Sequence, residues 1–169
     1  EAGISGVLFT APATTSNVNS LIYGVNPVVA GAHGWRITAR IRRITPLMPW
    51  GMMGVVLRDS SSGASVTYGL GVDSTTGLNR NQFLSDNVWN GVTGIVQWFD
   101  LDIWIRVYDD LTNRHIYVSK DGFDWQEVYT ETDTNYIKAD QAGVFMNPNF
   151  GDANNISGKN PVGMKLYSL

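Results

Sequence analysis

Phe99-Asp100-Leu101-Asp102-Ile103-Trp104-Ile105-Arg106-Val107-Tyr108 changes character at every residue. Phe99, Leu101, Ile103, Ile105 and Val107 are apolar, whereas the even positions carry Asp, Trp, Arg and Tyr. Side chains of an extended strand alternate between its two faces, so this pattern predicts a strand with one oily face and one face that mixes aromatics with charges. The alternation reaches back to Ile95 and takes in Trp98, which places the strand over Ile95–Tyr108. Downstream, Asp109-Asp110-Leu111-Thr112-Asn113-Arg114 supplies turn formers before His115–Ser119, and Lys120–Asp124 supplies them again before Trp125–Tyr129. Three antiparallel strands joined by short turns are expected here. Upstream, Ile37, Ala39 and Ile41 alternate with Arg36, Thr38, Arg40 and Arg42, and Met53–Arg58 and Val66–Val72 flank the polar turn Asp59–Gly63. Gln141–Asn147 and Val162–Leu169 read as further strands. No window repeats apolar residues at helical spacing between caps, so almost no helix is expected. Thr14–Gly34, with Pro27, and Asn147–Pro161 resist assignment and read as long loops, the segments that most often carry function.

The chain has 169 residues, 12 Lys+Arg against 15 Asp+Glu, a formal net charge of -3 and no cysteine. That length suits one all-β domain spanning residues 1–169, large enough to fold without disulfides or a structural metal. The absence of cysteine excludes thiol catalysis and thiolate metal sites. The slightly acidic balance argues against a nucleic-acid partner, and no apolar run is long enough for membrane insertion. The opening Glu1-Ala2-Gly3 reads as a processed or excised start.

Trp104-Ile105-Arg106-Val107-Tyr108, followed by Ile116-Tyr117-Val118-Ser119-Lys120-Asp121-Gly122-Phe123-Asp124-Trp125, resembles a pattern of the concanavalin A-like lectin/glucanase family, laminin-G-like domains included. Gly54–Asp59 with Val66–Gly71, and Gly143–Phe145 with Lys165–Leu169, resemble its neighbouring and closing strands. The resemblance runs from about Trp35 to the end of the chain. It implies a two-sheet antiparallel jelly-roll sandwich of about six strands per sheet, with the strand at Gly6–Phe9 near the last one. The family holds lectins, glycanases and appended domains of bacterial and phage surface proteins, so membership does not fix function.

Several residue sets could carry chemistry. Asp100 and Asp102 sit two apart on one strand face, roughly 7 Å between side-chain bases, a spacing that an inverting glycosidase tolerates. The family's glycanases resemble Glu-x-Asp-x-Glu, however, and this stretch has no Glu; the alternative is that both carboxylates are solvated or pair with Arg36, Arg40 or Arg106. Ser119–Trp125 resembles the Asp-box turn of sialidase propellers, one residue short, and reads as a structural turn in which Asp121 accepts backbone amides, Gly122 permits positive φ and Trp125 covers the hairpin. No cofactor is expected; a calcium ion would have to be held by Asp109, Asp110, Asp121 and Asp124. His33 and His115 lack any paired spacing, and Gly69-Leu70-Gly71 reads as glycine in a curved strand. The cluster Arg36, Arg40, Arg42 and Arg43 could meet an acidic glycan, but a charge-paired edge strand competes with that reading.

Sugars stack their C–H faces on indole and phenol rings while Asp, Asn and Arg bond the hydroxyls. Trp98, Trp104, Arg106, Tyr108, Asp100 and Asp102 form that mixture if the even face is open; a covered face would make Trp104 core. Trp50, Trp89 and the loop residues Asn149, Asp152 and Asn154 are further candidates. The expectation is a non-catalytic carbohydrate or cell-surface recognition module, as in a phage tail fibre, receptor-binding or bacterial surface protein. Its partner would be a glycan or host-surface polysaccharide, its location extracellular or on a virion, its assembly a homo-oligomer such as a trimer. The rivals are a glycan-degrading enzyme using Asp100 and Asp102, and a purely structural virion decoration.

Overall fold

A computed structural model describes residues 7–11, 22–28, 34–44, 51–72, 76–85, 88–98, 100–147 and 162–168. The strands are β1 (Val7–Ala11), β2 (Ile22–Pro27), β3 (Trp35–Arg43), β4 (Met52–Arg58), β5 (Ser65–Val72), β6 (Thr76–Ser85), β7 (Val88–Gln97), β8 (Asp102–Asp109), β9 (Asn113–Ser119), β10 (Gln126–Thr132), β11 (Gln141–Asn147) and β12 (Val162–Ser168). They form two six-stranded sheets, ordered β1-β12-β3-β8-β9-β10 and β2-β11-β4-β5-β6-β7, here called sheets A and B. Every pairing is antiparallel, the first strand lies beside the last, and there is no helix among the described residues. This is the expected jelly-roll sandwich.

Parity explains the core. Ala39 and Ile41 of β3, Ile103, Ile105 and Val107 of β8, and Ile116 and Val118 of β9 point inward from sheet A. They meet Val55 and Leu57 of β4, Val66, Tyr68 and Leu70 of β5, and Val144 of β11 from sheet B. Each fully buried aliphatic side chain there contributes about 1.5–3 kcal/mol.

At the β6 and β10 side the core is polar. The carboxylate of Glu131 takes Arg80 at 2.8 Å, Arg114 at 3.5 Å, the Tyr68 hydroxyl and the Asn135 amide at 2.7 Å. Arg114, with no exposed surface, also lies 3.4 Å from Asp109 and donates to the carbonyls of Ile137 and Asp133. Two buried guanidiniums thus face two buried carboxylates, and the network ties β5 and β6 of sheet B to β8, β9 and β10 of sheet A. Burial, and then the Glu131 charge, push the Tyr68 phenol far above its ordinary range, so it stays a donor.

Three expectations need correction, and one strand was not foreseen. The stretch Ile95–Tyr108 is two strands in different sheets: β7 ends at Gln97, β8 begins at Asp102, and the chain crosses between sheets in the interval. A crossing chain must leave the ladder, and alternation alone does not show where it does so. Part of Thr14–Gly34 is β2, which among the described residues is an edge strand bonded only to β11, and whose last position accepts Pro27 because no amide is needed there. β3 is not an edge strand; it lies between β12 and β8. β6 was not anticipated, because Asn79-Arg80-Asn81-Gln82 has no apolar alternation to announce it.

Candidate functional site

The outward face of sheet A is built from rows of cross-strand neighbours. One row runs Arg36, Tyr108, His115, Thr130; the next runs Thr38, Arg106, Tyr117, Glu127; the third runs Arg40, Trp104, Ser119. The parity that sends Ile103, Ile105 and Val107 inward sends Asp102, Trp104, Arg106 and Tyr108 outward, half-buried.

In the first two rows the rings form a stack. His115 lies between Tyr108 and Tyr117, with centroids 6.1 and 6.4 Å away. Its Nδ1 is 3.2 Å from Glu127 and its Nε2 is 3.4 Å from Asp110. The hydrogen bond to Glu127 is the largest of the effects that raise the imidazole's pKa. Glu127 in turn is lowered by its hydrogen bonds from Thr130 and His115. Arg106 donates from Nε to Thr38 Oγ1 at 3.1 Å and lays its guanidinium 3.7 Å from the Trp125 ring centre. Arg36, Arg106, Tyr108 and Tyr117, with Gly34 and Trp35, line an open depression of about 560 Å³.

The turn between β9 and β10 supports this face as its sequence suggested. Asp121 accepts the amides of Phe123 and Asp124 at 2.8 and 3.0 Å and the Ser119 hydroxyl at 2.9 Å, while Trp125 Nε1 donates to the Gly122 carbonyl at 3.0 Å. These bonds hold the Asp121 carboxyl below the ordinary carboxylate range. Gly122 has φ of 85°, and a Cβ there would come 2.9 Å from the Trp104 ring. Gly122→Ala should therefore cost about 1–2 kcal/mol, read as a lowered urea midpoint.

The other candidates distribute as follows. Asp102 stands opposite Arg42 and is bound diagonally by Arg40, with Nε at 3.3 Å and Nη2 at 3.0 Å. Asp100 is 3.3 Å from Lys120, whose ammonium lies 5.7 Å from the Trp98 ring. Trp98 belongs to the crossing between sheets and packs against the core, so it does not share the β8 face. Trp104 sits beneath Gly122 with the Arg40 guanidinium 5.7 Å from its ring, and does not line the depression. Trp89, 47% exposed, stands on β7 of the other sheet, opposite Phe83. Trp50, Asn149, Asp152, Asn154 and His33 lie outside the described residues. The four aspartates of the calcium reading do not gather: Asp109, the last residue of β8, and Asp110 lie at one end of β9, and Asp121 and Asp124 lie in the turn at its other end; Asp110 is committed to the amides of Thr112 and Asn113.

Sequence reasoning named Arg36 only within a cluster that could meet an acidic glycan, weighed His115 only for paired spacing, and did not single out Tyr117 as a site residue. Their parity in β9 was readable; the register that sets them beside Arg106 and Tyr108 was not. A second group also escaped notice on the outward face of sheet B. Ser65 Oγ, Thr67 Oγ1 and Asn81 Oδ1 are buried without a hydrogen-bond partner, beside the small apolar cluster Met52, Val56, Phe83 and Phe145. Thr67 and Asn81 are direct cross-strand neighbours. These groups are closed to solvent, whereas the sheet A depression is open.

No family model and no curated protein matches the sequence. Among solved structures, the chain is similar to the GH43 protein BlXynB of Bacillus licheniformis (TM-score 0.51, 13% identity, 78% of this chain). It spans about a quarter of that protein, 26% of its length. It is also similar to the CBM2 module of the evolved Dit of Lactobacillus casei BL23 phage J-1 (TM-score 0.51, 11% identity), covering 96% of this chain and 77% of that one. A third likeness is to a beta-1,3-glucanase from Mycobacterium marinum (TM-score 0.50, 13% identity, 79% and 63% covered). At these identities the likeness shows the shared β-sandwich fold.

Proposed function

We propose that the chain is a non-catalytic carbohydrate-recognition module that binds a glycan on the outward face of sheet A. The observation that carries this reading is the open depression of about 560 Å³ in which Tyr108 and Tyr117 meet Arg36 and Arg106. Phenol rings supply flat apolar surface for the C–H face of a pyranose, and guanidinium donors suit its oxygens. The neighbouring carboxylates are engaged: Asp102 by Arg40, Glu127 by His115 and Thr130. Neither is a free acid beside a free base, the pair that glycoside hydrolysis needs. The similarity to a phage Dit module supports a role on a virion or cell surface, where several copies would add weak contacts into firm attachment.

The test is isothermal titration against a panel of soluble polysaccharides, with reducing-end assays on the same mixtures. The expected result is binding without new reducing ends, and a loss of about tenfold, near 1.4 kcal/mol, in Tyr117→Ala. New reducing ends, or binding that Tyr117→Ala leaves intact, would overturn the proposal.

A further inference from the structure

Building on the saccharide-binding reading, we infer that the depression takes a sugar bearing a carboxylate, a uronic acid unit of an acidic polysaccharide, held between Arg36 and Arg106. β3 sends both Arg36 and Arg40 to the outward face, but of the two only Arg40 is paired with an acid, the diagonal neighbour Asp102. Arg40 grips Asp102 with two nitrogens. Arg36 is exposed and has no ion pair among the described residues. Arg106 has none either: its Nε is spent on Thr38, its plane is fixed against Trp125, and its two Nη groups find no acceptor among the described residues. Arg36 and Arg106 stand on adjacent strands one row apart, roughly 7–8 Å between Cα atoms. Among the described residues, no carboxylate lines the space they share.

The two cations press on one another. Partial burial, followed by the charge of Arg36, lowers the Arg106 guanidinium from its ordinary value. A bound anion would relieve both. A carboxylate suits this geometry because a guanidinium whose plane is held in place offers a two-pronged donor edge that matches two carboxylate oxygens. Tyr108 and Tyr117, which line the same depression, would carry the sugar ring to which that carboxylate is attached. General attraction to polyanions does not account for the arrangement, since the whole chain has a net charge of -3 and the unpaired cations are local.

The experiment is titration of the folded protein with polygalacturonate, with the same polymer after reduction of its carboxyl groups, and with heparin, at about 0.15 M salt. The wild type should bind polygalacturonate at least about tenfold more tightly than the reduced polymer, the equivalent of about 1.4 kcal/mol. Arg36→Ala and Arg106→Ala should each lose a comparable factor, and Arg106→Lys should recover little of it, because one ammonium cannot reproduce the fork. Arg42→Ala, an exposed cation of the same strand outside the depression, should bind as the wild type does. Thermal midpoints of the variants check that each is folded. Equal affinity for the native and reduced polymers would overturn the carboxylate inference and leave the saccharide reading standing. Failure to bind either polymer would overturn the uronate inference, and the saccharide reading would fall with it only if the neutral polysaccharides of the panel above were also refused. Equal or tighter binding to heparin, with Arg42→Ala as weak as Arg36→Ala, would show plain charge attraction and overturn the inference as well.

Discussion

Glu131→Ala is expected to lower the unfolding free energy by about 3–5 kcal/mol, the usual consequence of removing one partner from a buried ion pair. The carboxylate touches Arg80, Arg114, Tyr68 and Asn135, and Glu131 itself is 7% exposed. Its removal takes from Arg80 the carboxylate that stands 2.8 Å from its guanidinium and from Arg114 one of its two acid neighbours, Asp109 remaining. Water cannot compensate, because Arg80 and Arg114 are 3% and 0% exposed. Tyr68→Phe deletes a single hydrogen bond from the same cluster and should cost about 1 kcal/mol. Urea titrations of the two variants provide the comparison. A Glu131→Ala midpoint no lower than that of Tyr68→Phe would show that the cluster does not hold the sheets together. The network bridges strands of both sheets, so its loss should also appear as earlier amide exchange in β6 and β10 than in β3 and β8.

Nothing in the sequence announced that network, and the reason is instructive. Arg80 lies in a polar run, Arg114 closes a turn and Glu131 falls among Thr130 and Thr132, so each reads as a surface residue until the sheets are stacked. β8 and β9 were legible because one face of each lies on the core, which forces alternation, whereas β10 has a bulge between Glu127 and Tyr129 and was marked by the turn before it. The central strands of sheet B, β4 and β5, were legible from their apolar runs. β6 was not, since Asn79 and Asn81 on its outward side are buried as well, and burial on both faces erases the polar–apolar rhythm. For the site, parity put Trp104, Arg106 and Tyr108 on one face of one strand. It could not say that Arg36 and Tyr117 would flank Arg106 and Tyr108 while Trp104 lay under a turn, because register is a property of pairs of strands.

Trp104→Ala carries the second large expected effect, a loss of about 3 kcal/mol, the lower end of the range for removing a large aromatic because the ring is only half-buried. The ring supports the underside of the Asp121 turn at Gly122 and faces the Arg40 guanidinium, so truncation opens a gap between β8 and that turn. Trp104→Phe, which keeps part of the ring surface, should recover a substantial share of the stability. The effect on ligand is expected to be different in kind. Trp104 does not line the depression and reaches it only through the turn, whose Trp125 fixes Arg106. Polyuronate affinity, corrected for the folded fraction, should therefore fall less in Trp104→Ala than in Arg106→Ala. Trp104 would then be a positioning residue, acting on Arg106 through the turn. The opposite pattern, an unchanged unfolding midpoint with binding abolished, would make Trp104 the platform on which the sugar lies and would move the site one row along sheet A, toward Arg40 and Asp102.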